Sequence, residues 1–182
     1  MRSLRSAILG GLGLVGIANA SPSIITSVID RTFQREVIEY GDAVVLFYNS
    51  APTSEETRTQ TWFLEEGFYK TAEISKRLEK DGKPIVFAKY DVNHLAVSGL
   101  SPEEVNNHVF STYELTGFPS VVLYRDGELI DQYPCTPKNQ EAIDPMVFNM
   151  SKGWLPSRFV GPLDGEIFGY EGTCQLHAID EE

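Results

Sequence analysis

The feature that most constrains the fold is an uninterrupted apolar segment, AVVLFY, at residues 43–48. A strand that faces water on one side alternates apolar and polar residues, whereas a strand covered on both faces is apolar throughout. The segment has the length of a strand and not of a helix. We therefore predict that residues 43–48 form a central strand of a sheet that helices cover on both faces.

The rest of the chain alternates between strand and helix patterns. Runs rich in β-branched and aromatic residues predict strands at residues 23–29, 84–92, 120–124 and 128–133. Apolar residues at helical spacing, preceded by capping residues, predict helices at residues 30–41, 53–81, 101–117 and 144–154. Gly67 is expected to kink the second helix. Asp126-Gly127 predicts a tight hairpin between the last two strands. The order is β-α-β-α-β-α-β-β-α, an α/β arrangement with a parallel crossover early and an antiparallel hairpin late.

The two ends of the chain differ from this middle region. Arg2 and Arg5 precede an apolar run that ends in Ala18-Asn19-Ala20, which is the pattern of a secretion signal. The run is shorter than the roughly 20 residues that a spanning helix needs. We predict a signal peptide at residues 1–20, a domain at residues 21–154 with no membrane span, and an irregular C-terminal tail at residues 155–182.

Composition and charge exclude several classes of protein. The chain has 182 residues and a formal net charge of −11, and such a surface repels nucleic acid. It has two cysteines, which are too few for a disulfide-dense scaffold or a zinc cluster. The three histidines lack the spacing of metal ligands, so we expect no metal centre.

Four segments carry a resemblance to a known family. They are Phe47-Tyr48, FAKYDV at residues 87–92, YELTGFPS at residues 113–120, and YRDGE at residues 124–128. In this order they resemble the thioredoxin fold, in particular the domains of the protein disulfide isomerase family, over residues 23–154. The most specific piece is Gly117-Phe118-Pro119-Ser120, because the family places a cis proline just before its fourth strand. The resemblance implies a thioredoxin-like fold, with a central mixed β-sheet of about five strands flanked by about four helices.

The family's redox active site is missing from the expected place. Its enzymes carry Cys-x-x-Cys at the start of the helix after the central strand, where the helix dipole lowers the pKa of the first thiol. Residues 49–56 read NSAPTSEE and contain no sulfur. Active members also have a buried acid two residues before the Tyr of the central strand, a position that Leu46 occupies here. We therefore expect no catalytic residue of this kind and no cofactor.

The resemblance also implies a binding edge. The loops at residues 49–60 and 93–100 leave the carboxyl ends of parallel strands, where open α/β sheets bind ligands. A cis bond between Phe118 and Pro119 would let an extended peptide pair with the backbone before the fourth strand. Pro52 and Trp62 lie in or beside the first loop, and Trp62 is the first candidate for an apolar anchor. The alternative for Trp62 is core packing, which we expect for Phe63.

Cys135 and Cys174 are separated by 39 residues, and Asn149 begins an Asn-Met-Ser sequon. We predict a structural disulfide that pins the tail to the domain and contributes about 3–4 kcal/mol on the chain-entropy model. A regulatory or catalytic thiol pair and a bridge to another protein are the alternatives. Glycosylation of Asn149 requires that its side chain be exposed.

The leading functional hypothesis is a redox-inactive thioredoxin-like module of the secretory pathway, in the endoplasmic reticulum lumen or secreted. It would bind unfolded polypeptide or a partner protein. One alternative is an acidic, calsequestrin-like domain that buffers Ca²⁺ or acts as a scaffold. The acids, including Glu55 and Glu56, are suited to weak Ca²⁺ binding at most, because they form no ligand loop. The other alternative is an atypical thiol oxidoreductase that uses Cys135 or Cys174.

Overall fold

The structure is a computed structural model that describes residues 25–75, 79–80, 83–117, 119–134, 136–159, 168–171 and 175–178. The predicted signal peptide, Phe118 and both cysteines lie outside these residues.

The predicted strands and helices up to residue 154 occur in the predicted order, but the helix predicted over residues 53–81 ends at Ser75, and residues 79–80 form a short strand. The strands are β1 (Ile25–Val28), β2 (Ala43–Tyr48), β3 (Glu79–Lys80), β4 (Lys83–Pro84), β5 (Val86–Asp91), β6 (Ser120–Arg125), β7 (Glu128–Gln132), β8 (Phe168–Glu171) and β9 (Gln175–Ala178). The α-helices are α1 (Asp30–Phe33), α2 (Glu55–Ser75), α3 (Asn93–Val97), α4 (Pro102–Tyr113), α5 (Ile143–Phe148) and α6 (Leu155–Phe159). Other helical turns are π-helical segments after α1 (Gln34–Ile38) and between α5 and α6 (Asn149–Trp154), and a 3₁₀ turn before α5 (Gln140–Ala142).

A five-stranded mixed sheet with the order β1-β5-β2-β6-β7 forms the centre of the domain. Strands β1, β5 and β2 are parallel, whereas β6 and β7 are antiparallel to their neighbours. All six residues of β2 are buried, as the apolar run predicted. This is the topology of the thioredoxin-like fold, and the predicted fold class is confirmed.

Helices cover both faces of the sheet, and alternate residues of β2 point to opposite layers. Val45 and Phe47 pack in the layer that also contains Phe33 and Tyr113, next to α1 and α4. The opposite layer contains α2 and the C-terminal helices, and its buried residues include Val44, Leu46, Phe68, Met146 and Trp154. The all-apolar composition of β2 therefore follows from two cores that share one strand.

Two glycines occupy positions that require them for different reasons. Asp126 and Gly127 have φ angles of 52° and 82°, as expected for a tight hairpin turn between β6 and β7. A Cβ on Gly127 would also lie 2.7 Å from the carbonyl oxygen of Ile38. Helix α2 runs through Gly67 as one element, and a Cβ there would lie 2.7 Å from Sδ of Met146. Close packing against α5, and not a break in the helix, explains Gly67.

The segment after Trp154 is more regular than predicted. Helix α6 continues to Phe159, and both Leu155 and Phe159 are buried in the core beneath α2. Strands β8 and β9 pair in an antiparallel hairpin. The abundance of Gly and Pro predicted an irregular tail from residue 155, and this prediction is wrong for α6, β8 and β9. Leu155 and Phe159 are four residues apart, so they extend the apolar face of the last helix.

Among the described residues, no helix combines the length and the apolar character needed to cross a membrane.

Candidate functional site

The two predicted loops meet at the carboxyl ends of β2 and β5. The carboxylate of Asp91, the last residue of β5, accepts hydrogen bonds from the backbone N–H groups of Ser50 and Asn93, each at 3.0 Å. The carbonyl of Tyr48 accepts a bond of 2.8 Å from the N–H of Val92. One carboxylate thus holds both loops at the same edge of the sheet. Part of the second loop is helical, because α3 begins at Asn93.

The first loop ends in a capped helix that presents no thiol. The side chain of Asn49 accepts a hydrogen bond of 2.9 Å from the N–H of Ala51, which closes a local turn. Oγ of Ser54 accepts a bond of 3.1 Å from the N–H of Thr57, so Ser54 caps α2. Pro52, between these two turns, is buried.

Trp62 and Phe63 are adjacent on α2 but have opposite environments. Phe63 is 9% exposed and packs in a small cluster with Ile143 and Val147 of α5. Trp62 is 52% exposed, and its ring centroid lies 5.0 Å from that of Phe63. The core interpretation therefore holds for Phe63 and not for Trp62.

A cavity of about 340 Å³ lies between the first loop and α2. We call it the Trp62 cavity, and its lining residues include Tyr48, Ser50, Pro52, Arg58, Trp62 and Glu65. Two of the predicted binding residues, Trp62 and Pro52, are therefore brought together. Pro119 is half-buried and does not line this cavity. It precedes Ser120, which pairs with Phe47 one residue before the end of β2.

Lys89 lies beside the Trp62 cavity, and no sequence pattern indicated it. Nζ of Lys89 donates a hydrogen bond of 2.7 Å to the hydroxyl of Tyr69 and lies 3.6 Å from Oε1 of Glu65. Nζ also lies 5.8 Å from the ring centroid of Tyr48 and 5.4 Å from that of Tyr69. Burial alone would lower the pKa of Lys89, but the bond to Tyr69 and the nearby groups raise it. Burial also raises the pKa of Tyr48. Glu65 and Tyr69 are four residues apart on α2, which is the spacing that could have indicated a shared contact.

The loop before Pro119 is attached to the edge strand β7. Oε1 of Gln132 accepts a hydrogen bond of 3.1 Å from the N–H of Thr116 and one of 2.7 Å from its hydroxyl. Gln132 is thus a positioning residue for this loop, and no sequence pattern indicated it. The hydroxyl of Ser120, directly after Pro119, is buried and has no hydrogen-bond partner in the described part of the chain.

The side chain of the predicted glycosylation site, Asn149, is buried. Asn149 is 2% exposed and begins the π-helical segment between α5 and α6. In the folded domain the side chain is therefore not exposed as glycosylation requires.

Acidic and histidine side chains do not converge into a metal centre within the described ranges. No three His, Cys, Asp or Glu side chains there are grouped so that they could hold a metal ion.

The chain is similar to other proteins over part of its length. No protein-family model matches it. A protein disulfide-isomerase from Zea mays is 33% identical over 109 residues, which are 59% of this chain, and the chain spans 17% of that protein.

Solved structures with a similar arrangement include human ERp44 and a thioredoxin. The ERp44 crystal form I is 17% identical with a TM-score of 0.47, over 70% of this chain and 29% of that one. Its zinc-bound form is 18% identical with a TM-score of 0.43, over 70% and 31%. A mutant thioredoxin from Halobacterium salinarum NRC-1 is 18% identical with a TM-score of 0.42, over 70% and 90%.

Proposed function

We propose that this chain is a protein-binding module of the secretory pathway that has no thiol-disulfide redox activity and holds unfolded polypeptide or a partner protein at the Trp62 cavity. The observation that carries the proposal is the exposed indole of Trp62 beside a cavity of about 340 Å³. Pockets of this size are typical of sites that bury a ligand group.

The environment of Trp62 suits an apolar side chain of an extended segment. A large aromatic ring left in water is a source of binding energy, because its apolar surface is desolvated only when a partner covers it. The lining of the cavity includes the buried residues Pro52 and Tyr48 and the charged residues Arg58 and Glu65. Arg58 is paired with Glu55 at 2.8 Å, so the lining has little unpaired positive charge. A partner would therefore contribute apolar groups to the centre and polar groups to the rim.

The absence of redox activity is supported by the residues at the start of α2. The segment at residues 49–56 contains no sulfur, and the position of the family's buried acid is Leu46, which is fully buried. A hydroxyl such as that of Ser54 has no two-electron redox couple to replace a thiol. The similarity to a protein disulfide-isomerase supports the secretory location.

Phe118 and Pro119 would provide a second contact along the same edge of the sheet. Backbone groups before β6 are suited to pairing with an extended chain, and this kind of pairing tolerates many sequences. The bond network of Gln132 and Thr116 holds the preceding loop in place for such a contact.

A binding assay with a permanently unfolded client tests the proposal. We expect the protein to bind reduced, carboxymethylated lactalbumin, and Trp62→Ala to weaken this binding at least about fivefold. Ile74→Ala is the matched control, because Ile74 lies on the same helix and is 53% exposed. Both variants should change the free energy of unfolding by less than about 0.5 kcal/mol.

Two results would overturn the proposal. One is that the protein does not bind the client, and the other is that Trp62→Ala binds as tightly as the parent chain. If Trp62→Ala changes the stability, Trp62→Gln provides a polar replacement of intermediate size for the same comparison.

A further inference from the structure

A second cavity, of about 580 Å³, lies on the other side of the sheet from the Trp62 cavity. It is enclosed by α1, the C-terminal end of α4 and the β6–β7 hairpin. We call it the Asp30 cavity. The residues that matter for its chemistry are Asp30, Phe33, Tyr113, Glu114, Tyr124 and Glu128.

Three aromatic rings form one wall of the Asp30 cavity. The ring centroid of Phe33 lies 4.5 Å from that of Tyr113 and 5.5 Å from that of Tyr124. The rings are tilted with respect to one another, with interplanar angles of 54° and 75°. The parts of these rings that line the cavity can attract a cation through the ring quadrupoles.

The charged residues that line the cavity are all acidic. Its lining contains the carboxylates of Asp30, Glu114 and Glu128, and none of its lining residues is Lys or Arg. His108, which does not line the cavity, has its Nε2 atom 3.2 Å from Oδ2 of Asp30. The cavity therefore repels anions and favours a positively charged occupant.

Hydrogen bonds hold the carboxylate of Asp30 in its ionised form. Its Oδ1 atom accepts a bond of 2.7 Å from the hydroxyl of Tyr113 and another from the hydroxyl of Tyr90. Burial opposes the charge, but these two bonds, with smaller contributions from His108 and His94, lower the pKa of Asp30 below its ordinary value. A negative charge is therefore present at neutral pH next to the ring of Tyr113.

Tyr124 adds a polar group to the lining of the cavity. The residue as a whole is 4% exposed. Burial raises the pKa of Tyr124 and nearby Glu114 raises it further, so the hydroxyl stays neutral. A neutral hydroxyl can accept a hydrogen bond from an N–H group of a ligand.

We propose that the Asp30 cavity binds an organic cation, an ammonium or guanidinium group on an alkyl stem. The cation would stack against the rings of Phe33, Tyr113 and Tyr124, donate N–H groups to Tyr124 and the carboxylates, and fill the remaining volume with its stem. A bare metal ion fits less well, because three of the six groups are aromatic and the volume is many times that of an ion. The site is separate from the Trp62 cavity, and it does not depend on the function proposed for that cavity.

Titration of the full chain, followed by amide chemical shifts in NMR spectra, tests the proposal. The probes are spermidine and N-acetyl-arginine amide, with N-acetyl-citrulline amide as the neutral isostere of the latter. We expect saturable shifts at residues around Tyr113, Tyr124 and Glu128 with at least one cationic probe. The citrulline probe should bind at least about fivefold more weakly than the arginine probe.

Variants distinguish specific binding in the Asp30 cavity from general attraction of a cation to an acidic protein. The double substitution Glu114→Gln and Glu128→Gln should weaken the binding of the cationic probe at least about fivefold, and Tyr124→Phe should weaken it about threefold. The matched control is Glu103→Gln with Glu141→Gln, two exposed acids outside the cavity, which should leave the binding unchanged.

Each outcome decides for or against the assignment. Shifts that do not saturate, equal binding of the citrulline probe, or equal weakening by the control pair would overturn it. Tighter binding of spermidine would point to a free polyamine, and tighter binding of the arginine probe would point to a basic side chain of a polypeptide. Both results support the cation site.

Discussion

Leu46 and Lys89 lie directly opposite each other in the parallel pairing of β2 and β5, on the face covered by α2. An acid at position 46, as the sequence resemblance implies for redox-active relatives, would face Lys89 across the sheet. In this chain Lys89 reaches Tyr69 and Glu65 on α2 instead. The lysine therefore has partners even though its neighbour in the sheet is apolar, and its charge contributes to the packing of α2 on the sheet.

Lys89→Met should lower the stability in a pH-dependent way. The pKa of Lys89 is raised in the folded state, so its contribution is complete below the unfolded value of roughly 10.4 and is lost as the pH rises through the folded value. We expect the variant to be about 1 kcal/mol less stable at neutral pH. Urea unfolding from neutral pH to about pH 11 should show the difference between the two proteins shrinking. A difference that stays constant over this range would contradict the role assigned to the charge.

The chain should not reduce disulfides. In an insulin-reduction assay with dithiothreitol, we expect the rate to equal that of the reductant alone, because the segment at residues 49–56 has no thiol. A thioredoxin with an intact Cys-x-x-Cys site is the positive control. Turnover that disappears on mutation of Cys135 or Cys174 would show that the chain is an atypical oxidoreductase.

Cys135 and Cys174 should form one intramolecular disulfide in protein produced through a secretory route. Alkylation without a reductant should then add no mass, whereas alkylation after reduction should label both residues. The loop that the bond closes predicts a loss of about 3–4 kcal/mol when Cys174→Ser removes it. Two labelled thiols in unreduced protein would exclude the bridge, and a dimer on a non-reducing gel would indicate a bond to another chain.

Asp30→Asn should destabilise the domain more at neutral pH than in acid. The pKa of Asp30 is lowered, so the stabilisation is present above the unfolded value of roughly 3.9 and is lost as the pH falls through the folded value. The side chain is 41% exposed, and solvent screening limits the expected loss to about 1 kcal/mol.

Asp144→Asn provides the matched control for this pH dependence, because Asp144 is highly exposed and its ion pair is with Lys70. Urea unfolding at neutral pH and at about pH 3 should show a difference only for Asp30→Asn, and this difference should be smaller at the lower pH. An equal loss at both values would mean that the carboxylate charge is not what matters.

Glu114→Gly should stabilise the domain. Glu114 caps the C-terminal end of α4 with a φ angle of 55°, a left-handed conformation that disfavours a residue with a Cβ. After the extra backbone entropy of glycine in the unfolded chain is subtracted, we expect a gain of about 0.5–1 kcal/mol in urea unfolding. Glu103→Gly, within the first turn of the same helix, should lower the stability by about 1 kcal/mol. A loss of stability in Glu114→Gly would mean that its carboxylate makes a stabilising contact.

Features that depend on neighbours in the chain were predicted correctly. The start of α4 is one example, since Oγ of Ser101 accepts from the N–H of Glu104 at 3.3 Å and the carboxylate of Glu104 accepts from the N–H of Ser101 at 2.8 Å. The hairpin at Asp126-Gly127 is another. In both cases, the groups that decide the conformation are at most three residues apart.

Features that depend on how elements pack were decided by the tertiary structure. Trp62 and Phe63 are adjacent and similarly apolar, and Phe63 is buried only because α5 packs on its side of α2. Asn149 is buried for a similar reason, since the apolar face of the last helix includes it.

The sequence by itself determined the order of β1, α1, β2, α2, β5, α4, β6, β7 and α5, the apolar composition of β2, the hairpin and the absence of sulfur at residues 49–56, because each of these depends on residues that are close in the chain. Only the tertiary structure decided the partners of Lys89, the exposure of Trp62 and the joining of Asp30, Tyr113 and Tyr124 around one cavity. Tyr113 and Asp30 are 83 residues apart, and their contact depends on the packing of α1 and α4 on the same face of the sheet. Close packing between distant elements sets which side chains remain in water, and no pattern of three or four residues contains that information.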